Sequence, residues 1–151
     1  MNNLEGKVII VTGGNGLIGA GIVNKIRAEK GICINAEITV ETDEELNNIQ
    51  CDITDENSLQ SLIDTVIGKF GKIDGLVNNA YPRTKDWGAR FEDIPYESWK
   101  QNVDWQLNST FIFCQKVLVQ MKKQGNGSIV NIGSTYGVVS PDFGIYDGTE
   151  M

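Results

Sequence analysis

Histidine is absent from all 151 residues. That removes every catalytic triad built on an imidazole base and every metal site that needs imidazole ligands. Cysteine is scarce, and Cys33, Cys51 and Cys114 have none of the paired spacing of a zinc site. The first two fall in predicted strands and the third in a predicted helix, which implies reduced core thiols in a cytoplasmic protein. Basic charge is also short: 13 lysines and arginines face 20 acidic residues, for a net charge of −7. Such a surface repels polyanions, so nucleic acid and anionic membrane are excluded as general partners. No apolar run approaches the roughly 20 residues of a membrane span. The opening MNNLEGKVIIVTGG has a short apolar run and no small-residue cleavage site, so it does not read as a secretory signal.

What is present is an alternation of strands and helices. With 40% hydrophobic and 22% charged residues the chain is of ordinary globular composition, and 1–151 reads as one domain without linker, repeat or low-complexity tract. Val8–Val11 is a strand, and Leu17–Lys30 a helix with Ile18, Ile22 and Ile26 on its apolar face. Ile32–Glu37 and Ile49–Ile53 are strands. A helix capped by Asp55 or Asn57 runs to Phe70 with Leu59, Leu62, Ile63 and Val66 inward. Ile73–Asn78 is a fourth strand, Tyr81–Pro95 a loop, Tyr96–Lys123 one long helix, and Ser128–Ile132 a fifth strand. Strands that are apolar almost throughout, separated by helices, imply a doubly wound parallel sheet with helices on both faces. The eighteen residues after Gly133 contain Pro141 and three glycines and no further predicted element. The sheet is therefore expected to lack its C-terminal part.

The first strand runs straight into Thr12-Gly13-Gly14-Asn15-Gly16-Leu17-Ile18-Gly19 and then into a helix. In that position Gly13 suits a tight turn, Gly16 a close backbone approach to a pyrophosphate, and Gly19 close helix–strand packing. The helix N-terminus supplies the positive end for the phosphates. Asn15, Leu17 and Ile18 complete the loop. Glu37 follows Gly19 by 18 residues, at the end of the second strand, where a carboxylate accepts from an adenosine ribose. The same carboxylate repels a 2′-phosphate, and Ile38–Thr42 offers no lysine or arginine to bind one. The expected cofactor is NAD rather than NADP, on a Rossmann-type fold. The plain alternative is a solvated strand end.

The segments VTGGNGLIG, CDITD (Cys51–Asp55), VNNA (Val77–Ala80) and GSIVNIGS (Gly127–Ser134) together resemble the ordered motif series of the short-chain dehydrogenase/reductase family. That resemblance implies that Asp52 and Ile53 flank the adenine, that Asn79 and Ala80 line the adenosine ribose, and that Asn78 ties the central sheet. It implies that Ile132 packs near the nicotinamide and that Ser134 hydrogen-bonds the substrate oxygen. Each has a plainer reading: Asp52 as a turn residue before a helix, the asparagines as a strand-end turn, Ser134 as a strand-end hydroxyl.

Departures from the family pattern are visible. The Gly-x-x-Gly-x-x-Gly spacing is more like the branch that contains epimerases and dehydratases. Tyr81 stands where a glycine usually follows Asn-Asn-Ala, and Gln106 takes the helix position of an active-site asparagine. The Tyr-x-x-x-Lys pair, whose lysine lowers the tyrosine pKa so that it can donate a proton, is not among these residues. It is expected beyond Met151, and the 151 residues alone are expected to be inactive. Tyr146 is a decoy, because Glu150 stands where the lysine is needed. On the long helix, Trp99, Val103, Leu107, Phe111, Cys114, Leu118 and Met121 form one apolar stripe, and Trp105, Ile112, Phe113 and Val117 lie off it. Apolar residues on more than one face imply burial on more than one side, either in a homo-oligomer, a dimer or tetramer, or under the Tyr81–Pro95 loop. The implied function is hydride transfer between NAD(P) and a small-molecule alcohol/ketone pair. The loop and the SPDFGIYDGTEM stretch loosely resemble members associated with flagellin or polysaccharide sugar modification, which implies a sugar-type substrate. The rivals are an epimerase or dehydratase of sugar nucleotides and a non-catalytic NAD-binding module.

Overall fold

The structure is a computed structural model and describes residues 3–43, 45–140, 142–146 and 148. Five strands, β1 (Val8–Thr12), β2 (Ile32–Glu37), β3 (Asn48–Gln50), β4 (Gly75–Asn78) and β5 (Ser128–Asn131), form one sheet in the order β3-β2-β1-β4-β5. Every neighbouring pair is parallel. All five residues of β1 are buried, as a central strand covered on both faces requires. Side chains alternate across it. Val8 and Ile10 join Ile34, Leu76 and the inward residues of α2 (Glu56–Phe70) and α4 (Ser109–Gln124). Ile9 and Val11 face α1 (Leu17–Ala28) through Val23 and Ile26. The fold is thus a doubly wound, Rossmann-type α/β sheet with helices on both faces.

Several boundaries differ from those the sequence implies. In α1 the inward residues are Gly19, Val23 and Ile26, while Ile18 is exposed. The third strand is shorter than Ile49–Ile53: regular pairing ends at Gln50, with one further bond from Cys51 N to Glu37 O. The Asp52 carboxylate then accepts from both Thr54 N and Thr54 Oγ1, at 2.8 and 2.7 Å, and bends the chain out of the sheet. Asp55, not Asn57, caps α2 by accepting from Asn57 N at 2.9 Å.

The long helix is interrupted. α3 (Tyr96–Val103) and α4 are joined by a single π turn over Asp104–Asn108. The Ser109 hydroxyl donates to Trp105 O, and the Ser109 amide reaches back five residues to Asp104 O. Thr110 Oγ1 donates in the same way to Gln106 O, at 2.7 Å. Side-chain hydroxyls that take the i−4 carbonyls loosen the α ladder at this point. The face that packs on the sheet carries Phe113, Val117 and Met121, whereas Trp99, Leu107, Phe111 and Leu118 are exposed. Met121 therefore does not belong with the other stripe residues. The loop that precedes α3 does not cover that stripe.

All three thiols are free. Burial pushes the Cys33 thiol up to about 11, against Arg27, and also raises Cys51, so both are inert near neutrality. Among the described residues no helix is long and apolar enough to cross a membrane, and no cluster of metal-ligating side chains is found.

Asp74, just before β4, ties two strands together at their starting ends. Its carboxylate accepts from Val8 N at 2.9 Å and pairs with Lys72 at 2.8 Å and Lys7 at 3.3 Å. Burial works to raise its pKa, but the bonds from Lys72, Val8 and Lys7 outweigh it and hold the carboxyl below its ordinary value. Asp74→Asn is expected to lower unfolding free energy by about 1–2 kcal/mol at neutral pH in urea titrations, chiefly through the lost carboxylate charge that Val8 N, Lys72 and Lys7 address. The folded-state pKa lies below the unfolded one. The contribution is therefore complete above the unfolded value and lost as pH falls through the folded value, so the gap between wild type and variant closes below about pH 4.

Candidate functional site

Chain order reverses between β1 and β4: the chain moves outward from β1 to β3, then returns to β4 on the other side. Crevices at such switch points, beyond the C-terminal ends of the strands, are where doubly wound sheets bind ligands. Here the two strand ends are stitched together. Thr12 Oγ1 accepts from Asn79 N at 3.0 Å and Ala80 N at 2.9 Å, and Asn79 Nδ2 donates back to Thr12 O and Gly13 O, both at 3.0 Å. Gly13 has φ +66°, and a Cβ there would stand 2.9 Å from Ala80 Cα. A Cβ on Gly19 would overlap Gly13 O. The loop is therefore wedged between the end of β4 and the first turn of α1.

That first turn is open. Gly16 is the N-cap, with no side-chain cap bond, and no acidic residue follows in the first turn. Leu17 is 97% exposed and Ile18 is exposed as well. Amides at the positive end of an uncapped helix are chemically suited to an anion. Glu37 stands beside it at the end of β2, its Oε2 accepting from Asn15 N at 3.4 Å and its Oε1 from Ile38 N at 2.8 Å. Gly13, Asn15, Gly16, Leu17, Ile18, Gly19, Glu37, Asn79 and Ala80 thus converge on one crevice. Asp52 and Ile53 lie just past β3, with Ile53 partly packed into the core. The Asp52 Oδ1 serves the Thr54 turn described above, so the turn role holds whatever else its carboxylate binds.

On the far side of the crevice Asn78 Nδ2 donates to Asn131 Oδ1 at 2.8 Å, joining β4 to β5, and Ile132 N donates to Asn78 O at 2.9 Å. Asn78 and Asn131 are paired in register. Tyr81 and Ser134 each follow by three residues. Ser134 Oγ accepts from Tyr136 N at 3.2 Å, which leaves the hydroxyl proton available to donate. Gln106 sits in the π turn, and its Nε2 donates to Pro82 O at 3.1 Å. Burial raises the Tyr81 phenol above its ordinary value, against Arg83 and a hydrogen bond with the Gln106 side chain. The Tyr81 ring meets Trp87 edge-on at 5.4 Å. Asn102, which the sequence reading passed over, accepts from Thr84 N at 3.0 Å and donates to Thr84 Oγ1 at 2.8 Å, fastening the loop to α3. Its only signal was a polar residue at an inward helical position.

Comparison with known proteins places the chain. The family model described as short chain dehydrogenase matches residues 7–149. The chain belongs to the short-chain dehydrogenase/reductase family. Post-translational flagellin modification protein A of Campylobacter coli is 36% identical, over 98% of this chain and 63% of its own length. D-threitol dehydrogenase of Mycolicibacterium smegmatis is 34% identical, over 92% of this chain and 56% of its own. The solved structure of an NAD+-bound xylitol dehydrogenase matches with a TM-score of 0.78 and 29% identity, over 92% of this chain and 57% of that one. The chain thus spans between 56% and 63% of the length of these proteins.

Replacing Thr12 with valine keeps the shape but removes the acceptor from two amides beneath the crevice. Thr12 is fully buried. The expected loss is about 2–4 kcal/mol of unfolding free energy, with most of it regained in Thr12→Ser. Denaturant titration of the three proteins measures this, and a valine variant as stable as wild type would show that the stitch holds nothing.

Proposed function

We propose that the protein is an NAD-dependent dehydrogenase or reductase acting on an alcohol/ketone pair of sugar or polyol type, with residues 1–151 supplying the cofactor-binding half. The observation that carries this reading is the open, uncapped α1 N-terminus set beside the Glu37 carboxylate, above a loop so tight that Cβ atoms at Gly13 and Gly19 do not fit. These residues suit a dinucleotide: amides for a pyrophosphate, a carboxylate for ribose hydroxyls, exposed apolar Leu17 and Ile18 for cover.

When bound, the nicotinamide cofactor supplies the hydride donor or acceptor. The α1 N-terminus binds the pyrophosphate, and Glu37 accepts from the adenosine ribose while repelling a 2′-phosphate. Asp52 and Ile53 flank the adenine, Asn79 and Ala80 line the ribose, and Ile132 lies against the nicotinamide. The Ser134 hydroxyl donates a hydrogen bond to the substrate oxygen and so orients it, keeping its proton. Gln106 steadies the loop at Tyr81 and Pro82 beside that oxygen. The proton that balances hydride transfer is assigned to a Tyr-x-x-x-Lys pair outside residues 1–151, and not to Tyr146. Tyr146 ends a short 3-10 turn over Phe143–Tyr146; Glu150 and Met151 lie outside the described residues. The sugar or polyol class is supported by the threitol and xylitol dehydrogenases above and by the flagellin modification relative. The exposed residues Trp99, Leu107 and Phe111 are assigned to a homo-oligomer contact, and the protein to the cytoplasm.

In the intact enzyme NAD is expected to bind at least about 10-fold more tightly than NADP, and Glu37→Ser to narrow that ratio by weakening NAD and relieving the repulsion of NADP. Calorimetric titration with both cofactors measures it; a wild type that prefers NADP removes Glu37 from the ribose. Tyr146→Phe is expected to leave turnover of a polyol panel close to wild type. A fall of about 10²-fold or more, as for loss of a general acid, would give Tyr146 the proton.

A further inference from the structure

Asn35 is a polar residue in the middle of a buried strand, and none of the roles above uses it. It is 4% exposed, on the α1 face of β2, two residues before Glu37 and so on the same side of the sheet. Its Nδ2 donates to Asn15 Oδ1 at 3.0 Å and to Asn48 Oδ1 at 3.2 Å. Its Oδ1 is buried without a hydrogen-bond partner. That oxygen lies against Gly14, where any Cβ would overlap it. The orientation is the one that wastes least. With the amide turned over, two buried N–H groups would face the Gly14 methylene with nothing to accept them, whereas a carbonyl there meets a Cα–H.

Asn15 is therefore held at two points from below. Glu37 Oε2 accepts from its backbone amide, and Asn35 takes its side-chain oxygen. With Oδ1 taken by Asn35, Nδ2 is the side-chain atom that exposed Asn15 has left to offer, a pure donor, on a residue whose backbone amide meets the pure acceptor Glu37. A donor and an acceptor side by side match a vicinal diol, in which one hydroxyl gives a hydrogen bond and its neighbour receives one.

We infer that Asn35 is a positioning residue that orients the Asn15 amide so that Asn15 and Glu37 together read the two hydroxyls of the adenosine ribose. This rests on the reading of the crevice as an NAD site. Asn35 touches no ligand and acts only through Asn15.

A double-mutant cycle separates this role from mere support of the fold. NAD affinity is measured by calorimetry on the purified protein for wild type, Asn15→Ala, Asn35→Leu and the double variant. Each single change is expected to weaken NAD binding about 3- to 10-fold, the range for one hydrogen bond. The double variant is expected to bind no worse than Asn15→Ala alone, because with the Asn15 amide gone Asn35 has nothing to orient. Losses that multiply, or an Asn35→Leu protein that binds like wild type, would overturn the inference. If Asn35→Leu does not fold, Asn35→Val, which suits a strand, takes its place in the cycle. Glu37→Ala is measured alongside. Unchanged NAD affinity there removes the ribose from this crevice and the inference with it, while a weakened Glu37→Ala without Asn15–Asn35 coupling overturns the role of Asn35 alone.

Discussion

The Thr12 hydroxyl takes two consecutive amides from the chain leaving β4, and Asn79 returns two bonds to the carbonyls at the end of β1. These four bonds close the seam at which strand order reverses. Without them the parallel ladder would end at Val11 and Val77, and the two part-buried amides beyond it would lose their acceptor. With them, the glycine loop has a fixed floor, and the direction in which α1 leaves that loop is set. The start of α1 and the chain after β4 then flank the seam, and the carboxylate at the end of β2 meets the same loop through Asn15 N.

Packing is uneven around that seam. β1 and β2 are covered on both faces, but β5 is covered on one. Ile129 packs partly toward α4, while Val130 and Ile132 on the α1 side remain 47% and 41% exposed. The same asymmetry appears on α3 and α4, where Phe113, Val117 and Met121 are buried and Trp99, Leu107, Phe111 and Leu118 are exposed.

The π turn links this packing to the crevice. It lies where the paired helices pass the end of β4, and it carries Gln106, whose amide holds Pro82. With Asn102 on Thr84, it gives the Tyr81–Pro95 loop two fixed points on the helix. The Tyr81–Trp87 pair of that loop presents aromatic surface.

Periodicity and composition were enough for the layers. β-branched runs such as VIIV, apolar helices between them and glycines after the first strand leave little choice but a parallel doubly wound sheet, since local pattern and global packing agree there. The glycine loop was legible because a tight turn between strand and helix admits few residues, and the position of Glu37 as the last residue of β2 followed from the strand pattern. Three features were not announced by periodicity or composition. The helix from Tyr96 onward contains no proline or glycine until Gly125, so neither usual breaker marked the interruption, where the Ser109 and Thr110 hydroxyls take carbonyls of the preceding turn. Met121 followed the apolar stripe by spacing, yet it lies one and two turns beyond Val117 and Phe113 on the buried face of α4 and packs on the sheet with them. Asn35 looked like any polar residue in a strand. Its burial, and the need for a glycine at position 14, exist only because the first loop folds down onto the second strand, and no local pattern encodes that contact.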